Sequence, residues 1–439
     1  MSRATGRRAI ARTTSRRSAV LGVVIVGLVL AMLTLAGTTP LGIGRPVDDP
    51  SRVSLDQRTF SCSGGIASAV TVSGNLRDGL LASQPIGAAP VTVVADRDVA
   101  RGSFAAQQAT SGKSFAWVPC PEARARWWFL GAGGAAVTHD TVLTLTNPRT
   151  GPAVVDIDVY GPEGLVDSPG LKGITIGGGT VRTFDLARTA PAVGNLAVNV
   201  TASRGLVAVS AADKFAPGSI GKTVEEWLPS QSLPARAVTL AGMVADPGSA
   251  TVLVANPGQV DAIVKVEVIG TTGTFEAKSL PPFTVGPQSV ATVPASGIFD
   301  GTPVALRVTS EQPVTATVRS LRRGDIALAT GVRPIRGSTT FAVPTGTGQL
   351  VLSSLASGAR MQVVAYDARG QQLSASTVKV PATSSVGVPL TAKIRYVRLV
   401  AGRPDVVAGF AIAGTRGIVS AGVLPTIRSL RLPQVRPGW

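Results

Sequence analysis

The chain repeats itself. Asn147-Pro148 returns as Asn256-Pro257, 109 residues later, and the apolar phase around both copies stays in register without a gap. Leu143 and Leu145 answer to Val252 and Val254, and Val155, Ile157 and Val159 to Val264, Val266 and Val268. Beyond them Gly161 and Gly164 match Gly270 and Gly273, and Ile174, Ile176 and Val181 match Phe283, Val285 and Val290. A shortened copy passes through Met361, Val363, Ala365, Tyr366 and Gly370, and AVNVT at 197–201 answers ALRVT at 305–309. Each copy closes on an apolar run and a proline-bearing junction, at Pro119, Pro229, Pro334 and Pro425.

Within a copy the period is two. Val155, Ile157 and Val159 alternate with Asp156 and Asp158, and Val264, Val266 and Val268 with Lys265 and Glu267. Such alternation belongs to a strand with one wet face. Val, Ile and Thr favour strands, and Gly or Pro interrupts most runs after about 5 to 8 residues. About seven short strands in about 100 residues predict an all-β fold of tandem immunoglobulin-like sandwich units. Aromatic residues are only 4% of the chain, so aliphatic side chains must fill the cores. The units are placed at 126–235, 236–335 and 336–439, preceded by a partial copy at 56–125 that lacks the Asn-Pro half.

The N-terminus supplies an address. Residues 1–17 hold six arginines and no acid, and 18–37 are 20 uncharged, mainly aliphatic residues. At about 1.5 Å per residue a helix of that length spans about 30 Å of hydrocarbon. The arginines put the N-terminus in the cytoplasm and the remainder outside, beyond a linker at 38–55. A cleaved signal peptide is the alternative; its apolar stretch is normally about 7 to 15 residues with an Ala-x-Ala-like site. Both readings make the bulk of the chain extracytoplasmic, anchored in one case and secreted in the other.

Outside a reducing cytoplasm the only two cysteines, Cys62 and Cys120, are expected to form a disulfide. They bracket the partial unit, whose missing half leaves a strand edge to be covered. The tail RSLRLPQV after Pro425 resembles the opening of a further unit, and is expected to dock on the N-terminal segment.

Charge is unevenly spread. The net charge is +17, and residues 321–439 carry 15 basic groups against 3 acidic ones. Arg322, Arg323, Arg333, Arg336, Arg395, Arg398, Arg403, Arg416, Arg428, Arg431 and Arg436 are the candidate anion-binding residues. Guanidinium groups grip phosphate and carboxylate bidentately. Outside a cell the polyanions are phospholipid headgroups and acidic envelope polymers rather than nucleic acid, and a membrane protein of envelope assembly is a further candidate partner. The competing explanation is a set of solvated faces in a chain that prefers Arg to Lys throughout.

No reaction is visible. A Gly-x-Ser-x-Gly elbow and a His-Glu-x-x-His motif are absent, and GAGGAA at 131–136 and GGGT at 177–180 lack the rest of a nucleotide loop. One histidine, His139, followed by Asp140, has no marked serine partner, and two cysteines with one histidine do not make a metal site. Asp156 and Asp158 share a face, but the repeat replaces them by Lys265 and Glu267. No catalytic residue, metal or cofactor is therefore assigned. Trp117, Trp127 and Trp128 are candidates for stacking on a glycan, although the match of Trp117 to Trp227 favours plugs between units.

The leader, the single span, the cysteine pair and the NP…VxVxVxG repeats together resemble an uncharacterised family of actinobacterial membrane-anchored or secreted exoproteins, a domain of unknown function. The resemblance implies an envelope location and no assigned activity. The expectation is a non-enzymatic, single-pass envelope protein, a binding or scaffold array whose distal basic unit faces an anionic partner; the alternative is a carbohydrate-binding module using the junction tryptophans.

Overall fold

The computed structural model describes residues 51–54, 57–87, 89–96, 102–111, 114–135, 137–191, 193–218, 223–403, 405–414, 417–426 and 429–432, and helical residues 24, 26–28, 31 and 32. The expected leader and membrane span otherwise lie outside the described residues. Among the described residues no helix is long and apolar enough to cross a membrane.

The fold is all-β, and it obeys the alternation. In Ala153–Gly161 the side chains of Val155, Ile157 and Val159 are buried while Asp156 and Asp158 lie half exposed. In Ala262–Ile269 Val264, Val266 and Val268 are buried, and Lys265 and Glu267 point away. The two asparagines that mark the repeat do one job twice. Asn147 donates through Nδ2 to the carbonyls of Gly151 and Ile176 and accepts from the Arg149 amide. Asn256 donates to Val260 and Val285 and accepts from Gly258. Each partner is displaced by the same 109 residues. A buried amide with all its groups satisfied fixes the turn that starts the next strand.

The first module pairs two sheets, one ordered Gly164–Val166, Ala153–Gly161, Leu196–Arg204, Arg126–Ala132, the other Val181–Asp185, His139–Thr146, Ala208–Phe215, Val224–Trp227. The third does the same, with Ser338–Ala342, Tyr396–Ala401, Ala359–Tyr366, Gln372–Val380 facing Ser385–Leu390, Thr347–Ser354, Val406–Ala413, Ile418–Gly422. The second departs from the expected pair of separate sheets. Its strands join into one eight-stranded sheet, because Ala305–Arg322 runs through 18 residues and pairs with strands on both sides of the core. In the first module Gly205, at φ +73°, ends the corresponding strand. In the second the stretch between the equivalents of Ala202 and Val209, Ser310 and Ala316, is one residue shorter and carries no left-handed residue, so the strand continues.

The leading segment forms a two-stranded sheet, Arg58–Cys62 with Val91–Ala95, and a four-stranded one ordered Ala82–Pro85, Val70–Gly74, Phe104–Ser111, Ser114–Pro119. The Cys62–Cys120 disulfide is present, with Cα atoms 4.9 Å apart, inside a small core with Phe60 and Ala105. Its edge is covered by the third module. Phe104, Phe115 and Trp117 join the core of that module; Phe104 lies 5.3 Å from Tyr396, ring to ring. The backbones also meet at Gly79 and Gly370, where a Cβ on Gly370 would come within 2.5 Å of the Gly79 Cα. Within Ser54–Arg428, one compact unit, the modules thus close a circuit from leading to third, and the third is not distal.

The tail does pair, with a different segment. Ser429–Leu432 and Ser51–Ser54 form a two-stranded sheet, so the end of the supposed linker is a strand. Deleting 426–439 is expected to abolish amide-exchange protection at 51–54 in a hydrogen-exchange experiment; unchanged protection would refute that pairing.

Candidate functional site

The candidate stacking residues have no open ring. Trp117, Trp127 and Trp128 are 3%, 3% and 5% exposed. Trp117 meets Phe410 edge to face at 5.3 Å. Trp127 lies parallel to Phe129 and carries the Arg124 guanidinium 3.6 Å above its ring, and its Nε1 donates to the Val207 carbonyl. Burial, then the nearby Arg333 charge, pushes Arg124 down to about 10. Trp128 stacks on Tyr160. Large rings are plugs here because their area is worth more buried than wet. The carbohydrate-binding alternative loses its residues.

A polar centre that the sequence reading missed lies where the modules meet. Their closing strands, Ser114–Pro119, Val224–Trp227, Asp325–Val332 and Ile418–Gly422, converge. Ser114–Pro119 and Ile418–Gly422 are edge strands with unpaired amides to satisfy. Asp325 Oδ2 accepts from Phe115 N at 3.2 Å and Ile418 N at 2.8 Å, joining leading, second and third modules through one carboxylate. Glu226 Oε1 accepts from Trp117 N at 3.1 Å and Trp227 N at 2.9 Å. Phe115 and Trp117 are two apart, so their amides face one side of the strand, and two carboxylates take the place of a neighbouring strand. Burial, opposed by the amide bonds, pushes Asp325 up to about 6. Burial, then repulsion from Asp325, holds Glu226 well above the usual carboxylate range.

The only histidine sits in an adjoining buried group. His139 Nε2 lies 3.0 Å from the Gly131 carbonyl and 3.3 Å from Asp213 Oδ2, and Thr141 donates to Asp213 Oδ1. Arg319 of the second module enters the first, donating to Gly131 O at 2.8 Å and Asn195 Oδ1 at 2.9 Å, above the Phe215 ring. Gly131 belongs to a glycine-rich stretch, and a Cβ there would crowd Arg319 Nη2 at 3.1 Å. His139, Thr141, Asp213 and Arg319 are buried, and Arg319 ties the second module to the first, an arrangement suited to locking the two together. Asp140, the neighbour of His139, is raised by burial and then by Asp185. Nor do Asp156 and Asp158 form an acid pair: Asp156 accepts from Gly173 N, and Asp158 pairs with Lys172 and accepts from Asn199. Among the described residues no group of three or more His, Cys, Asp or Glu could hold a metal.

The candidate cations are divided. Arg322 and Arg323 belong to a turn of the second module, with Arg322 3.7 Å from Asp246. Arg395 and Arg398 are half buried with Nε groups enclosed and unpartnered, and burial pushes Arg395 down. Arg333, Arg336 and Arg403 are exposed. Arg333 borders a cavity of about 310 Å³ with Arg307, Leu233, Val332 and Leu355. Arg431 lies in the strand Ser429–Leu432, and Arg416, Arg428 and Arg436 fall outside the described residues. The third module adds exposed Arg360, Arg369, Lys379 and Lys393. Among the described residues none of the exposed basic side chains of that module makes an ion pair.

Residues 81–391 match a family described as a family of unknown function, DUF5719. No curated protein matches the sequence. Solved structures with some likeness include the full-length RrgB pilus protein of Streptococcus pneumoniae, at 9% identity and a TM-score of 0.15, covering 69% of this chain and 64% of that one. A second is the pilus backbone protein from the same organism, at 11% identity and a TM-score of 0.13 over 51% and 50% of the two chains. A structure of infectious bursal disease virus, Gx strain, gives 10% identity and a TM-score of 0.12 over 92% and 90%.

Proposed function

The chain belongs to the DUF5719 family, and from that premise we propose that it is a non-enzymatic envelope protein, held by one span at residues 18–37, whose extracytoplasmic β-modules form a scaffold with a basic third module turned to an anionic partner. The address rests on the arginine-led apolar stretch and on a disulfide, which persists in oxidising compartments. The scaffold role is supported by the interlocked modules, which Asp325, Glu226 and Arg319 bridge.

The observation that carries the partner is what the third module does with its acids. Asp367 accepts from the amides of Arg369 and Gln371, and Asp405 from those of Ala356 and Ser357. Asp367 is folded onto its own turn and Asp405 onto the turn at Ala356 and Ser357, which leaves the surrounding cations with no ion-pair partner among the described residues. Near an anionic surface each such charge contributes about 1 kcal/mol, within a Debye length of about 10 Å.

The full chain in neutral-lipid nanodiscs is expected to co-sediment with phosphatidylglycerol liposomes or to retain labelled polyphosphate. Neutral phosphatidylcholine liposomes should leave it in solution, and 0.5 M salt should release it. Equal partition among neutral and anionic partners would remove the reading.

A further inference from the structure

Four exposed cations that lie far apart in sequence are brought to one end of the outer sheet of the third module. That sheet is ordered Ser338–Ala342, Tyr396–Ala401, Ala359–Tyr366, Gln372–Val380. At one end Arg360 stands directly opposite Lys379 across the antiparallel pair. The amide of Gly402 reaches the Arg360 carbonyl, and Ala401 is bonded to Gly337, so Arg403 and Arg336 extend from the same end of the next two strands. Arg336, Arg360 and Lys379 therefore share one row with Gly402, and Arg403 stands one residue beyond it, all four exposed and without an ion pair among the described residues. Strands are about 4.8 Å apart, so the row extends over about 14 Å.

Like charges directly opposite on a sheet are destabilising, and among the described residues no acid pairs with either member. The leading module covers the other end of the sheet, where Tyr396 and Gly370 meet Phe104 and Gly79. The next row inward, Ser338, Val400, Gln362 and Thr377, holds no charge. The exposed positive charge at this end is thus a narrow band, since the next cation inward on that face, Arg398, is half buried.

We infer that this row is a binding site for a linear polyanion with phosphate charges along its backbone, laid across the strand ends. It rests on the reading that the third module faces an anionic partner and narrows that reading from any anionic surface to a polymer. A lipid leaflet presents charge in two dimensions and would gain from cations spread over a face; a chain of phosphates gains from cations in file. Three of the four are arginines, which add bidentate hydrogen bonds to each phosphate.

The test uses the full chain in neutral-lipid nanodiscs, fluorescent long-chain inorganic polyphosphate and, separately, phosphatidylglycerol liposomes. The quadruple variant R336Q/R360Q/K379Q/R403Q is expected to lose polyphosphate affinity at least tenfold with an unchanged melting temperature. The lysine version R336K/R360K/R403K should recover most of it, which separates lost charge from lost structure. The control R322Q/R323Q/R369Q, cations outside the row, should lose less than threefold. Equal losses in the row and control variants would overturn the site while leaving the basic-module reading in place. Tighter binding to liposomes than to polyphosphate, with the row variant impaired in both, would replace the polymer by a lipid surface. Wild-type chain that binds neither probe would remove this inference and the broader reading together.

Discussion

Replacing Trp227 by alanine is expected to destabilise the protein by about 3 to 5 kcal/mol, the range for removing a large buried aromatic. The ring is wholly enclosed, and it is the first module's plug into the leading segment, packing on Ile66, Ala69, Ala109, Ala116 and Val118. Its Nε1 donates to the Gly64 carbonyl at 2.6 Å, so truncation also strands a buried acceptor. Trp227→Phe, which restores bulk without the donor, should recover about half. The midpoint of chemical denaturation reads the stability, and exchange of leading-segment amides shows whether that segment loosens first. A loss below 1 kcal/mol for the alanine variant would show that the ring does not join the two modules.

The paired carboxylates give the second large effect, and its direction is opposite to ordinary acid denaturation. The unfolded chain titrates Asp325 near the usual value of about 4, whereas the folded chain holds it up at about 6. The native state binds the proton more tightly, so the stability from this group is complete below about pH 4, falls as pH rises to about 6, and is level above that. A shift of about two units corresponds to about 3 kcal/mol. Glu226, also raised, extends the decline upward, since two buried carboxylates repel when both are ionised. Denaturation midpoints are therefore expected to rise as pH is lowered from 7.5 to 5. Asp325→Asn keeps an oxygen for the amides of Phe115 and Ile418 but cannot ionise. It should match wild type near pH 4 and exceed it by up to about 3 kcal/mol at pH 7.5. Asp325→Ala leaves both amides unpaired and should lose about 2 to 4 kcal/mol near pH 4, a deficit against wild type that shrinks to about zero at pH 7.5, where the wild-type charge carries its own penalty. A wild-type midpoint that falls on acidification over this range, with Asp325→Asn behaving identically, would sink the account.

Much of the architecture was legible because strand faces are set by parity. Val155, Ile157 and Val159 turn inward for the same reason that Asp156 and Asp158 turn outward, and neither needs a distant partner to be predicted. The recurrence of Asn147 at Asn256 signalled a repeated turn, and the structure supplies the hydrogen bonds that make the residue necessary. The match between Trp117 and Trp227 marked the junction plugs. The fused strand of the second module was not read, because the loss of one residue and of a left-handed glycine between two strands does not by itself say that they merge. The acidic junction was not read. Glu226 in VEEW and Asp325 in RGDIAL look like ordinary surface acids, and the only cue is that each precedes a run destined for burial.

The order of residues alone determined the strand class, the cysteine partnership and the excess of positive charge after residue 320. These follow from local alternation and from counting. Tertiary structure decided where the ends went: the third module closes on the leading one, the tail pairs with 51–54, Asp325 and Glu226 take edge amides, and Arg336, Arg403, Arg360 and Lys379 gather at one sheet end. Each of these depends on which strand ends and edges come to lie side by side, and that is settled by packing among residues tens to hundreds of positions apart, on which a period of two is silent.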